Sequence, residues 1–132
     1  WLALQKVNQN DNSKYTIEEF IFTDWLSEAS SIFNKLDIRK MRLTNFYTLY
    51  TDIVDAISVY NAETKLNNVV VELTGEEARK LTEKINSLEQ QIESLKAKIK
   101  KEQQLNRKIE MNIEIKRLEK QLYLLQGGAI ND

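Results

Sequence analysis

LTEKINSLEQQIESLKAKIKKEQQLNRKIEMNIEIKRLEKQLYLL, residues 81–125, decides the fold of this chain. Its first half places Leu81, Ile85, Leu88, Ile92, Leu95 and Ile99 at steps of four, three, four, three and four. A helix underwound to about 3.5 residues per turn keeps such positions on one line, the a/d seam of a coiled coil. Most residues between them are Lys, Glu, Gln, Ser and Asn, which suit a solvated helical face. A seam this narrow calls for a second helix. The stretch therefore reads as an interaction element and announces no reaction.

Beyond Ile99 the same heptad would put Glu102, Asn106, Lys116 and Lys120 at core positions, although Ile109 and Ile113 fit it. The later set, Met111, Ile115, Leu118, Leu122 and Leu125, keeps the four-and-three step in a shifted phase. Two well-phased segments predict an antiparallel helical hairpin turning within residues 100–106, with Ile99 near Ile109. The junction contains no Gly or Pro, so a continuous helix whose seam drifts onto a second partner is the alternative. Thr74 and Glu77 fit a capping box that opens the helical region, with Glu76 and Glu77 at the positive end of its dipole. Gln126-Gly127-Gly128 closes it, because Gly takes the left-handed conformation that follows a helix.

Upstream, WLALQKV (residues 1–7) and YTIEEFIFTDW (residues 15–25) are rich in apolar, aromatic and β-branched residues. The polar cluster between them predicts a β-hairpin with its turn at residues 10–13. Alternation breaks at Glu18 and Glu19, which marks a bulge or an edge. Two strands are marginally stable alone, so the hairpin is expected to be the remnant of a larger sheet built from residues outside this sequence. The opening on Trp1 rather than Met agrees with a fragment.

Residues 24–40 carry mixed signals around the apolar pair Ile32-Phe33. Leu43, Phe46, Tyr47, Tyr50, Ile53, Val54, Ile57 and Tyr60 then recur at three and four, predicting an amphipathic helix over 43–61. Thr44 is its expected N-cap. The stripe is broad and aromatic, as suits a helix lying on a sheet. Asn67-Asn68 reads as a turn and Val69-Val70-Val71 as a short strand.

Composition removes several chemistries. With no Cys and no His there is no disulfide, thiolate site or His-based triad in this chain. The net charge of −1 gives no global attraction to nucleic acid or membrane, and no apolar run approaches a membrane span. A cytoplasmic location is expected. Glu18, Glu19 and Asp24 stand beside a strand, but neighbouring strand residues point to opposite faces, which suits solvated edge charges better than a metal site. Trp1, Trp25, Tyr47 and Tyr50 could stack on bases, yet aromatics at strand and helix spacing more often form core. No catalytic residue, metal ligand or cofactor is assigned. The junction near residues 96–108 is locally basic, with Lys96, Lys98, Lys100, Lys101, Arg107 and Lys108 against Glu102. It reads either as phosphate contact or as a solvated helical surface.

FIFTDWL (residues 20–26) following WLALQKV, LYTDIVDAI (residues 49–57) and IKKEQQLNRKIEMNIEIKRLEKQL (residues 99–122) together resemble the C-terminal portion of the prokaryotic domain of unknown function 4391 family. The tail motif is the most specific part. The resemblance implies a cytoplasmic protein whose genes neighbour helicase and DNA-methyltransferase genes of defence or restriction loci. It carries over no catalytic residue.

The expected class is α+β: a β-hairpin remnant of a larger sheet, one packed amphipathic helix, and a C-terminal antiparallel helical hairpin or coiled coil. Residues 1–73 (hairpin 1–25, helix 43–61) should be the C-terminal part of an α+β domain, and 74–127 the helical element. The expected function is a non-catalytic scaffold or adaptor subunit of a restriction or defence system. Its partner-binding seam would be Leu81, Ile85, Leu88, Ile92, Leu95, Ile99, Ile115, Leu118, Leu122 and Leu125. Helicase, methyltransferase or a second copy are the expected partners. The alternatives are a nucleic-acid module using the basic junction, and a piece of an enzyme whose active site lies upstream.

Overall fold

The computed structural model describes residues 1–11, 14–67 and 72–128, with the side chains of all but 7–11 and 14–15. In chain order it contains β1 (Ala3–Asp11), β2 (Lys14–Phe22), α1 (Ile32–Lys35), a 3-10 turn (Ile38–Lys40), α2 (Phe46–Thr64), α3 (Gly75–Lys101) and α4 (Leu105–Leu125). The class is α+β. The chain divides into two compact units: Trp1–Thr64 with Glu72–Arg79, and, of the described residues, 65–67 with 80–128.

In the first unit β1 and β2 form a two-stranded antiparallel ribbon. Leu4 pairs with Ile21, Gln5 with Phe20 and Lys6 with Glu19, but Val7 then pairs with Ile17, leaving Glu18 as the extra residue of a bulge. The break in alternation at Glu18-Glu19 is that bulge. Asp11 pairs with Lys14, while Asn12 and Ser13 of the expected turn lie outside the described residues. So do Asn68 and the expected strand Val69-Val70-Val71.

Helix α2 lies on one face of the ribbon. Ile21, Ile32, Val54 and Ile57 are buried together, with Leu2, Leu4, Leu26, Leu36, Tyr50, Ile53 and Tyr60 around them. Ile32, in the stretch that carried mixed signals, is fully buried on the single turn of α1. The amphipathic stripe holds from Tyr50 to Tyr60, but its start needs correction. The helix begins at Phe46, and Leu43 and Phe46 are exposed. Asn45, not Thr44, caps it: Thr48 N–H donates to Asn45 Oδ1 at 2.9 Å, satisfying a first-turn donor. Arg42 holds the entry loop, its backbone N–H and its Nη2 each 2.7 Å from the Asp52 carboxylate. That pairing keeps Asp52 below the usual carboxylate range, through the Arg42 side chain first and its backbone N–H second.

Among the described residues no third strand pairs with the ribbon, and α2 closes a point on each edge. Tyr50 Oη accepts from Gln5 N–H at 3.0 Å and donates to Gln5 C=O at 2.7 Å. Asn61 Nδ2 donates to Phe22 C=O at 2.8 Å on the other strand. Edge groups left open would template further strands.

The start of α3 belongs to this unit. Thr74 Oγ1 accepts from Glu77 N–H at 3.2 Å while Glu77 Oε2 accepts from Thr74 N–H at 2.9 Å, the capping box read from the sequence. Arg79 Nη1 lies 2.7 Å from Asp55 Oδ1 and 3.3 Å from Ser58 Oγ, joining α3 to α2. Gly75 makes room for this: a Cβ there would stand 2.1 Å from Asp55 Oδ1.

In the second unit α3 and α4 form an antiparallel hairpin. Ile92, Ile115 and Leu118 are buried between them, flanked by Leu88, Leu95, Ile99 and Leu122. The turn is residues 102–104, inside the expected window and without Gly or Pro. Glu102 makes this possible. Its Oε1 accepts from the N–H groups of Gln103 and Gln104, each at 2.9 Å, so a side chain does the work a glycine turn usually does. The Gln104 N–H, then the Gln103 N–H, Arg107 and Lys108, hold the Glu102 carboxyl below its usual range. Gly127, at φ 90°, ends α4: its N–H donates to Leu124 C=O at 3.2 Å and Gly128 N–H to Tyr123 C=O at 2.8 Å.

Candidate interaction surfaces

The ten seam residues turn inward. Ile85, Ile92, Ile115 and Leu118 are buried, and Leu81, Leu88, Leu95, Ile99, Leu122 and Leu125 are half-buried. Seven of them form the single core of the hairpin. From Leu88 to Ile99 the expected seam is thus covered by the chain's own second helix. The phase shift after Ile99 is the cause, since it brings the α4 row round to meet α3 once the chain reverses. Ile99 joins that core, but its expected neighbour Ile109 stays about half-exposed.

Among the described residues, two rows of exposed apolar side chains stand out. The first is the ribbon face away from α2. Trp1, Phe20 and Phe22 are 62%, 64% and 66% exposed, although Leu4 and Ile21 on the opposite face are packed. The bulge at Glu18 explains the extent of this face. Plain alternation would turn Ile17 to the same side as Ile21; the inserted residue leaves it exposed with Phe20 and Phe22. An open groove of about 740 Å³ runs along this face and its edge, lined by Trp1, Ala3, Gln5, Phe20, Phe22 and Tyr50 among others. Trp25 is the most exposed tryptophan. Of the four aromatics weighed in the sequence, only Tyr50 packs against the core, while Trp1, Trp25 and Tyr47 are exposed.

The second face is on α4, where Leu105, Ile109 and Ile113 are exposed. The sequence carried its signal: Ile109 and Ile113 kept the phase of the first seam and were left over once the second phase was assigned.

The basic junction is partly neutralised. Lys96 Nζ lies 3.6 Å from both Glu93 and Glu119 carboxylates, and Arg107 Nη1 lies 4.0 Å from Glu102. Lys108 is half-buried. Lys98, Lys100 and Lys101 are exposed in the last turn of α3, where positive charge suits the helix dipole. Near the bulge, Glu18 pairs with Lys6. Among the described residues no three His, Cys, Asp or Glu side chains gather as a metal site. No helix among them is long and apolar enough to cross a membrane.

No curated protein and no solved structure matches the chain. The model of the domain of unknown function family DUF4391 matches residues 1–122, covering the ribbon, α2, α3 and nearly all of α4, and the chain belongs to that family.

Proposed function

We propose that this chain is a non-catalytic protein-interaction subunit, a scaffold or adaptor acting in the cytoplasm within a prokaryotic restriction or defence system. The observation that supports it is the ribbon, apolar on both faces and covered by α2 on one. A strand pair patterned in this way is one whose second face meets another protein surface. Tyr50 and Asn61 already occupy edge groups at Gln5 and Phe22, so the partner approaches the face rather than extending the sheet there. The α3–α4 hairpin is read as a short intramolecular coiled coil.

Cross-linking in the native host followed by mass identification tests this. A protein partner should cross-link to the native chain and be lost from the Phe20→Ser/Phe22→Ser variant, whose exposed positions leave folding intact. A chain that cross-links to no protein, or whose partner ignores the double substitution, overturns the reading.

A second reading, nucleic-acid binding, is favoured by Lys98, Lys100 and Lys101, exposed at the hairpin tip. Phosphate contact would give binding that falls linearly in log salt and is weakened when these residues become Gln.

A further inference from the structure

Helix α4 has two apolar rows where α3 has one. Ile115, Leu118 and Leu122 lie on the side that packs against α3, and Met111, in the same row, is half-buried. Leu105, Ile109 and Ile113, at 70%, 49% and 63% exposed, follow one another by four residues on the side away from it. They span about 12 Å of helix. The outer row then continues into Lys116 and Lys120, both exposed. Arg117 beside them is held by Glu114 and Glu119 approaches Lys96, whereas neither Lys116 nor Lys120 is in an ion pair among the described residues.

We propose that this outer row docks an acidic amphipathic helix of a protein partner. Its apolar side chains would cover Leu105, Ile109 and Ile113 while its carboxylates meet Lys116 and Lys120. The inference rests on the interaction reading and names a second surface and the chemistry of what fits it.

Charge complementarity selects this occupant. Whatever covers the apolar row must also lie beside two ammonium groups one turn further on. A second copy of α4 meets both demands in no register. Paired in parallel, Lys116 and Lys120 face their own copies. Paired antiparallel about Ile109, Leu105 meets Ile113, but the copy's helix begins at Leu105, so Lys116 and Lys120 lie past its end and meet no carboxylate of it. Centred on Ile113, Lys116 meets Glu110, but Arg117 and Gln121 fall on Ile109 and Leu105. Nucleic acid would use the lysines and leave three aliphatic side chains facing phosphate. A helix with an apolar stripe and flanking carboxylates satisfies both parts of the row, with the lysine stems adding apolar cover.

The test uses the full chain and two fluorescent synthetic helical peptides with the same Leu/Ile stripe, one flanked by Glu and the other by Lys. The Glu peptide should bind and the Lys peptide should not. Ile113→Asp should weaken Glu-peptide binding about tenfold or more, and Lys116→Glu/Lys120→Glu should reverse the preference. Circular dichroism of each variant should match the native chain, since all three positions are exposed. Equal binding of both peptides, or Glu-peptide binding that survives Ile113→Asp, would overturn the proposal. A dimer in sedimentation that Ile113→Asp dissolves would assign the face to a second copy, and salt-steep RNA or DNA binding lost with Lys116 and Lys120 would assign it to nucleic acid; either overturns it. Host cross-links that persist while the Glu peptide fails to bind would remove this inference and leave the interaction reading standing.

Discussion

The ribbon unit and the helical hairpin bury their apolar residues in different ways. In the hairpin the core is a single line of aliphatic side chains between two helices, and α3 leaves none of its own large apolar residues exposed. In the ribbon unit the core is assembled from five separate stretches: β1, β2, the loop carrying Leu26, the short turn at Ile32, and α2. Phe20 and Phe22 of β2, and Trp1 just before β1, nevertheless stay in water. Periodicity identifies an apolar face in both places. Whether the face is covered depends on what the rest of the chain brings to it.

Core truncation should give the largest effects and sharpen this contrast. Ile57→Ala in the ribbon unit and Leu118→Ala in the hairpin remove side chains that are 1% and 3% exposed. Each should lower the free energy of unfolding by about 2–5 kcal/mol in urea titrations. Ile113→Ala, on the outer row of α4, should change it by less than about 0.5 kcal/mol. Similar losses at Leu118 and Ile113 would mean that the two rows of α4 are buried alike.

Next is the start of α3. Gly75→Ala places a methyl group against the Asp55 carboxylate, which must then leave Arg79 or push the helix away. A loss of about 1–3 kcal/mol is expected in thermal melts. Asp55→Gly, which removes the Asp55 Cβ as well as its carboxylate, should make the added methyl group nearly harmless when Gly75→Ala is compared on that background; an undiminished loss there would show that the glycine serves the backbone instead.

A smaller effect tests how the ribbon edge is closed. Tyr50→Phe removes both bonds to Gln5 and should cost about 0.5–1.5 kcal/mol. Hydrogen exchange should show Gln5 N–H losing protection while Leu4 and Ile21 keep theirs. Unchanged exchange at Gln5 would mean that the edge is shielded by something other than the phenol.

The smallest concerns the hairpin turn. The folded Glu102 carboxyl titrates below its ordinary value of 4.5 because the charged form accepts the turn N–H groups. A depressed folded value means that the unfolded chain takes up the proton first as pH falls. The contribution is therefore complete above the unfolded value and is lost as pH drops through the folded one. Melting temperature should fall as pH decreases from about 4.5, and Glu102→Gln should flatten that limb. Asp52 adds a parallel loss through Arg42. A carboxyl NMR titration placing Glu102 at or above its ordinary value would remove the capping role.

The parts legible in the sequence were local. The α3 row, the Thr74–Glu77 box and the Gly127 stop each lie within a few turns of chain, where spacing determines geometry. The Glu18 bulge was legible as a broken alternation, though not its consequence for Ile17. The shifted phase after Ile99 was enough to expect two helices. That Glu102 would make the turn was hidden, because a carboxylate folding back on the next two N–H groups leaves no mark in hydrophobic pattern. The expected cap, Thr44, is one residue early, and one residue decides which side-chain oxygen reaches the first turn.

By itself, then, the sequence determined the α+β class, the two strands of the ribbon, the three long helices and the rows that could be buried, since these follow from residue type at fixed periods of two and 3.6. Tertiary structure alone decided which rows are covered and which contacts hold the ribbon unit together. Tyr50 meets Gln5 across 45 residues, Asn61 meets Phe22 across 39, and Arg79 meets Asp55 across 24. Such pairings have no period to read. They arise only when α2 comes to lie across the ribbon and α3 starts beside it, where a hydroxyl, an amide and a guanidinium reach groups that would otherwise be left unpaired.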